Sequence, residues 1–188
     1  QDRSSAASDV YKRQIIWCSD PSKVIRDAPT VGLPGDYFYS PMQLVGEWSD
    51  YDETICSVDP SGRGTDETAA AFLSQRNGLI YLHEMSAYRD GYSDSTLLDI
   101  LRRCRKYGVT SLVIETNFGD GIVGELFKKH LINTKQNINI EEVRANVRKE
   151  DRIIDSLEPV LNQHRLIIDR GVIDWDYASN KDLSLIHI

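Results

Sequence analysis

From residue 52 onward, apolar and polar positions fall into short alternating runs, and each run predicts one element. Thr54–Asp59 and Thr68–Gln75 are β-prone stretches of strand length. Arg76-Asn77-Gly78 is a hairpin signal that leads into a third strand, Leu79–Met85. Ser93 or Ser95 caps a helix running to Tyr107, with Leu97, Leu98, Ile100 and Leu101 on its apolar side and Gly108 at its C-terminal cap. Ser111-Leu112-Val113-Ile114 is a continuous apolar run of the buried-strand kind, and it ends at Glu115. Thr116–Gly121 turns the chain into a helix of about ten residues that ends near His130 or Asn133. Ile138–Val143 is a strand, Glu150–Asn162 a helix whose last turn is weakened by Pro159, and Leu166–Asp169 a short strand followed by Gly171. Three strands with hairpin-like connections and then alternating helices and strands predict an α/β fold, a mixed sheet of about five strands flanked by helices.

Ile15 to Asp50 lacks this regularity. It contains Pro21, Pro29, Pro34 and Pro41, and it reads as a linker or extended arm with one short strand. Tyr37, Phe38, Tyr39 and Trp48 give it surface with which to pack.

Composition narrows the function classes. The chain has 188 residues, 40% of them hydrophobic, enough for one core. Its longest apolar run falls well short of the roughly 20 residues needed to span a bilayer, so a soluble protein is expected. A formal charge of −7 argues against a generic nucleic-acid coat but leaves room for an enzyme with clustered acids. Cys18, Cys56 and Cys104 have no paired or metal-like spacing, and reduced core cysteines are expected.

The two ends carry a separate signal. Asp9–Gln14 can be encoded by GATGTGTATAAGAGACAG, and the reverse complement of that string translates as Leu183–Ile188. Residues 1–14 and 183–188 are therefore expected to derive from sequencing adaptors, leaving a natural stretch cut at both ends.

The chemistry gathers at two strand ends. Asp59 lies at the tip of the first strand, beside the tight turn Pro60-Ser61-Gly62, and Glu115 ends the fourth. A helical crossover between strands three and four allows strand four to lie parallel to strand one, which brings both acids to the carboxyl edge of the sheet. Carboxylates without His or Cys select Mg²⁺ or Mn²⁺ over zinc, and two such ions support phosphodiester cleavage. The bland readings also stand at this stage: Asp-Pro-Ser-Gly is good hairpin-turn composition, and a strand-end Glu commonly forms a surface ion pair. Asp66 either meets a metal through water or caps the turn, and Asp120 is best placed as a helix N-cap. Arg102 and Arg105 on one helix, Lys128 and Lys129 on the next, and the group Arg144, Arg148, Lys149 and Arg152 are candidate phosphate contacts or ordinary solvated helix faces.

The stretch Ser57-Val58-Asp59-Pro60-Ser61-Gly62-Arg63-Gly64-Thr65-Asp66-Glu67-Thr68 resembles the start of the nuclease domain in large terminase subunits of tailed phages, short-tailed ones above all. Three later blocks agree with it: Tyr88–Ser93, Ile114–Gly121, and Arg152–Val160 with His164-Arg165-Leu166. The resemblance implies an RNase H-like domain over 51–182 that cuts concatemeric double-stranded viral DNA during packaging with two Mg²⁺ or Mn²⁺ ions. Asp59 matches its first catalytic acid and Glu115 its second. The third acid is expected beyond the natural stretch, because Asp174, Asp176 and Asp182 sit in no matching motif. This implies weak or absent activity for the fragment. Arg63 is a candidate phosphate contact. ATP is implied only for a missing upstream motor domain to which 15–50 is the linker, since no Gly-x-x-x-x-Gly-Lys-Ser/Thr loop occurs here. The resemblance further implies the portal and the small terminase subunit as partners, no membrane, and action in the host cytoplasm.

Overall fold

The computed structural model describes residues 14–28, 35, 37–46, 50–61, 67–116, 121–144 and 149–179. They fall into two units, one ending at Asp50 and one beginning at Tyr51. In the first, β1 (Gln14–Ile16) pairs antiparallel with β2 (Gln43–Val45). A 3-10 turn at Pro21–Lys23 is capped by the Asp20 carboxylate, which accepts the Ser22 amide at 2.8 Å. Trp17 meets Tyr39 edge-on at 5.0 Å between ring centroids. The stretch expected as an arm with one strand thus holds two, joined across an interval in which no sequence periodicity announces them.

The second unit is a six-stranded sheet in the order β7-β6-β3-β4-β5-β8. Its first three strands, β3 (Glu53–Asp59), β4 (Thr68–Arg76) and β5 (Leu79–Tyr88), form an antiparallel meander. Asn77 and Gly78 turn β4 into β5, both with positive φ (51° and 77°), the conformation that an Asn-Gly hairpin supplies at low steric cost. A bulge in β5 skips His83, since Phe72 faces Glu84 while Leu73 faces Leu82. Helix α1 (Asp94–Tyr107) follows, with Ser93 Oγ accepting the Thr96 amide and Gly108 closing the helix in the left-handed region at φ 68°. Strand β6 (Ser111–Glu115) then pairs parallel to β3. Helix α2 (Ile122–Thr134) and strand β7 (Asn139–Val143) extend the sheet in parallel on that side. Helix α3 (Lys149–Asn162) leads to β8 (Leu166–Ile168), which lies parallel to β5 at the other edge. The chain continues as α4 (Arg170–Ser179), a helix the sequence reading did not anticipate. The six strands correspond to the six runs read from the sequence, against a sheet expected to hold about five, because the short Leu166 run also joins it as β8 beside β5.

One face of the sheet carries the main core. Cys56, Val58, Ala70, Phe72, Leu112 and Ile114 pack against Leu97, Ile100, Leu101 and Cys104 of α1 and against Val123, Phe127 and Leu131 of α2. Leu98, expected on the apolar side of α1, is 42% exposed. At 100° per residue it falls about 110° round from the centre of the Leu97–Ile100–Leu101–Cys104 stripe. The Cys56 and Cys104 thiols sit together in this core, and the hydrogen bond between them, with burial, pushes the Cys56 thiol up. Among the described residues no helix is long and apolar enough to cross a membrane.

The directions of the strands set up the site. All except β4 point the same way, so β3, β5, β6, β7 and β8 bring their C-terminal ends to one edge. That edge gathers Asp59, Tyr88 and Glu115.

Candidate active site

Asp59 and Glu115 reach this edge through residue order alone. The last pair of the β3–β6 ladder joins Val58 to Ile114, and the two acids are the next position on each strand. In-register residues of a parallel pair share a face, and side chains alternate along each strand. Val58 and Ile114 are buried in the core against α1 and α2, so Asp59 and Glu115 project from the opposite face. Adjacent strands lie about 4.8 Å apart, which places the two carboxylates side by side.

The turn after Asp59 is anchored from below. Pro60 and Ser61 are buried, and Thr68, at the start of β4, is fully buried. The Thr68 hydroxyl accepts the Ser61 amide at 3.0 Å and lies 3.3 Å from the Ser61 hydroxyl. Both feet of the turn are thereby tied, and the direction in which Asp59 leaves β3 is fixed. The loop 89–93 packs against the same point: a side chain at Gly91 would meet Ser61 Oγ at 3.7 Å. Arg89 donates to Glu67 at 2.9 Å beside it. Tyr88 ends β5 on the core side, where burial pushes its phenol up and its hydroxyl donates to Asp99 at 2.8 Å.

Glu115 has a cationic partner. Helix α3 connects one edge of the sheet to the other and must cross a face. Its Arg152 bonds Glu115 with two nitrogens, Nη2 to Oε1 at 3.0 Å and Nη1 to Oε2 at 3.5 Å. The first turn of α3 therefore lies on the face of the two acids. In the sequence Arg152 stands among basic residues and at the head of the Arg152–Val160 block, and neither placement names its partner. A basic residue in the first turn of a helix opposes the macrodipole, a local cost that points to a purpose elsewhere.

The remaining candidates are dispersed. Arg63 and Asp66 lie outside the described residues, as do Asp120, Arg148 and Asp182. The cap of α2 is Gly121, in the left-handed region at φ 82° and without a side-chain cap bond. Arg102 pairs with Asp99 at 2.5 Å, and Arg105 donates to the Thr134 carbonyl at 2.7 Å. Lys128 pairs with Glu125 at 2.6 Å, and Lys129 is exposed. These four belong to α1 and α2, on the sheet face away from the carboxylates. Asp174 pairs with Arg170 within α4 at 2.9 Å.

Two oxygen-donor carboxylates on one face, fixed by a parallel ladder, fit a hard divalent cation in donor chemistry and in placement. Among the described residues no group of three or more His, Cys, Asp or Glu is arranged around an ion, so the described part of the site supplies two carboxylates.

Residues 58–166 match the family model described as the bacteriophage T7 terminase, ribonuclease H-like domain. The chain is 41% identical over 166 residues to the large terminase subunit of Enterobacteria phage T3, an alignment covering 88% of this chain and 28% of that relative. It spans little more than a quarter of the relative's length. In three dimensions it is similar to the human cytomegalovirus terminase nuclease domain, Mn soaked and inhibitor bound (TM-score 0.51, 10% identity, 72% of this chain and 75% of that one). It is also similar to a mutant gp2c of the large terminase subunit from bacteriophage Sf6 with calcium (TM-score 0.50, 11% identity, 70% and 71%). At these identities the likeness is one of fold.

Proposed function

The chain belongs to the family of the bacteriophage T7 terminase ribonuclease H-like domain, and we propose that it is the nuclease domain of a terminase large subunit, a metal-dependent endonuclease that cuts concatemeric double-stranded DNA during genome packaging. One observation carries the reading: Asp59 and Glu115 end adjacent parallel strands in register and on the same face. These two carboxylates would hold Mg²⁺ or Mn²⁺, with Asp66 joining through water. When bound, such ions polarise the scissile phosphate and lower the pKa of the attacking water.

The protein's own contribution is positional. The Ser61–Thr68 hydrogen bonds hold the turn so that Asp59 keeps its direction, and the β3–β6 ladder keeps Glu115 beside it. Tyr88 stays a neutral phenol committed to Asp99, so it supplies no base at this edge. Phosphate contact near the cut falls to Arg63 and to Arg89, whose side chain is 90% exposed at the carboxyl edge. Arg102, Arg105, Lys128 and Lys129 would serve only DNA lying across the helical face. ATP is assigned to an upstream part of the complete subunit. The portal and the small terminase subunit are the proposed partners, and the host cytoplasm the place of action.

The test is Mg²⁺- or Mn²⁺-dependent cleavage of plasmid DNA by the complete large subunit. Asp59→Ala is expected to lower the rate by at least about a hundredfold, the scale of losing an electrostatic catalytic group. Full cleavage by the Asp59→Ala/Glu115→Ala double variant would overturn the assignment and leave a DNA- or portal-docking module as the better account. The 188-residue chain by itself is expected to cleave weakly, given two carboxylates among its described residues.

A further inference from the structure

We propose that Arg152 is a built-in cation of the acidic edge: it occupies Glu115 while no metal is bound, and a divalent ion has to displace it. The inference rests on the reading of Asp59 and Glu115 as metal ligands, and it concerns what precedes loading.

Three observations carry it. The contact is forked, with both terminal nitrogens of the guanidinium on the two oxygens of one carboxylate, the geometry that makes Arg–carboxylate pairs directional. Both partners are substantially withdrawn from water, at 35% and 24% side-chain exposure for Arg152 and Glu115, so solvent screens the pair less than a surface bridge. Finally, Arg152 Nε is buried and has no hydrogen-bond partner among the described residues. A guanidinium held for the sake of α3 alone would be expected to use that donor on its surroundings. Here Nε finds no partner among the described residues while both Nη groups reach Glu115, which indicates that its position is set by the carboxylate.

The consequence is competition. The oxygens that Arg152 occupies are those that Glu115 would offer to Mg²⁺ or Mn²⁺, and the two cations are alternatives for the same lone pairs. Arg152 belongs to the first turn of α3, so loading of the edge requires that turn or the side chain to withdraw. Arg152 is thus a positioning residue: it keeps the Glu115 carboxylate neutralised and aligned, and it raises the metal concentration at which the site fills.

The experiment uses the 188-residue chain and two readouts. The first is a double-mutant cycle on unfolding free energy without metal, with Arg152→Ala, Glu115→Ala and the double variant. The second is paramagnetic broadening of backbone amide signals around Asp59 by Mn²⁺, in wild type, Arg152→Ala and Arg152→Lys. Favourable coupling in the cycle, with broadening at a several-fold lower Mn²⁺ concentration in Arg152→Ala and an intermediate value in Arg152→Lys, supports the proposal. Coupling with an unchanged or higher Mn²⁺ requirement in Arg152→Ala overturns the competition and leaves a purely structural ion pair. Absence of coupling overturns the contact itself. Coupling without site-specific broadening in any of the three proteins overturns both the competition and the metal reading of the two acids, a result distinct from the failure of the competition alone.

Discussion

The Thr68 hydroxyl is the acceptor for the buried Ser61 amide and a neighbour of the Ser61 hydroxyl, so a single oxygen holds both feet of the turn that follows Asp59. Thr68→Val keeps the shape and removes that acceptor. A buried donor left unsatisfied costs about 1–3 kcal/mol, and urea denaturation is expected to show a loss of that size, while Thr68→Ser stays nearer to wild type. A Thr68→Val protein of unchanged stability would mean that the turn is held elsewhere. At this scale the sequence was informative about position and silent about partners. Asp59 and Glu115 were legible because each closes an apolar run, and the end of such a run has to be the end of a strand. Ser93 and Gly108 were legible as caps because their roles follow from local backbone chemistry. The Arg152–Glu115 pair joins residues 37 apart through a helix crossing, and no local pattern encodes it.

The bulge in β5 shows what elements add to residues. Skipping one ladder position turns His83 and Glu84, neighbours that would otherwise alternate, toward the same helix. Glu84 accepts from Lys106 at 3.0 Å and from the Tyr107 hydroxyl at 2.5 Å, and pairs with Arg103. His83 stacks on the Tyr107 ring at 5.3 Å and shares a 2.8 Å hydrogen bond with Ser74. Burial pushes the His83 imidazole down from its ordinary value of 6.5, against a weaker upward pull from Asp169. Because the folded form resists the proton, the unfolded chain takes it up first. The contribution of His83 is therefore complete above about pH 6.5 and is lost as the pH falls through that value toward the lower folded pKa. Urea midpoints measured between about pH 7.5 and 5 should fall for wild type and fall less for His83→Gln; equal slopes would refute this account. Alternation along β5 gave no warning of the bulge, since the extra residue is a property of the pairing with β4. Leu98 misled for a related reason. Its hydrophobicity is real, but the core accepts a stripe set by the helical angle, and Leu98 lies outside it.

For the molecule as a whole, the net charge of −7 and the acidic edge describe different things. The total says only that the proposed DNA contact would have to be local, whereas the edge arises because five of the six strands point the same way. That parallel arrangement was readable from the alternation of helices and strands after Tyr88. The course of the last part of the chain was not: α4 begins Arg170-Gly171, an unpromising start for a helix, and its existence depends on β8 having been placed next to β5.

That last strand has a consequence for how the molecule opens. β8 is three residues long and pairs Leu166 with Ile80, 86 positions back along the chain, so little hydrogen bonding stands against a large loop entropy. It should form late and open early, as a small cooperative unit of its own. Amide hydrogen exchange is expected to be faster at Ile167 and Ile168 than at Cys56 or Leu112 in the centre of the sheet; uniform protection would disprove it. The C-terminal end of α3 runs into β8, with the Arg165 amide bonded back to the Val160 carbonyl at 2.9 Å. Opening of this short clasp is therefore expected to free the last turn of α3 first, so exchange at Arg165 should follow that of Ile167 and Ile168 and not that of the sheet centre.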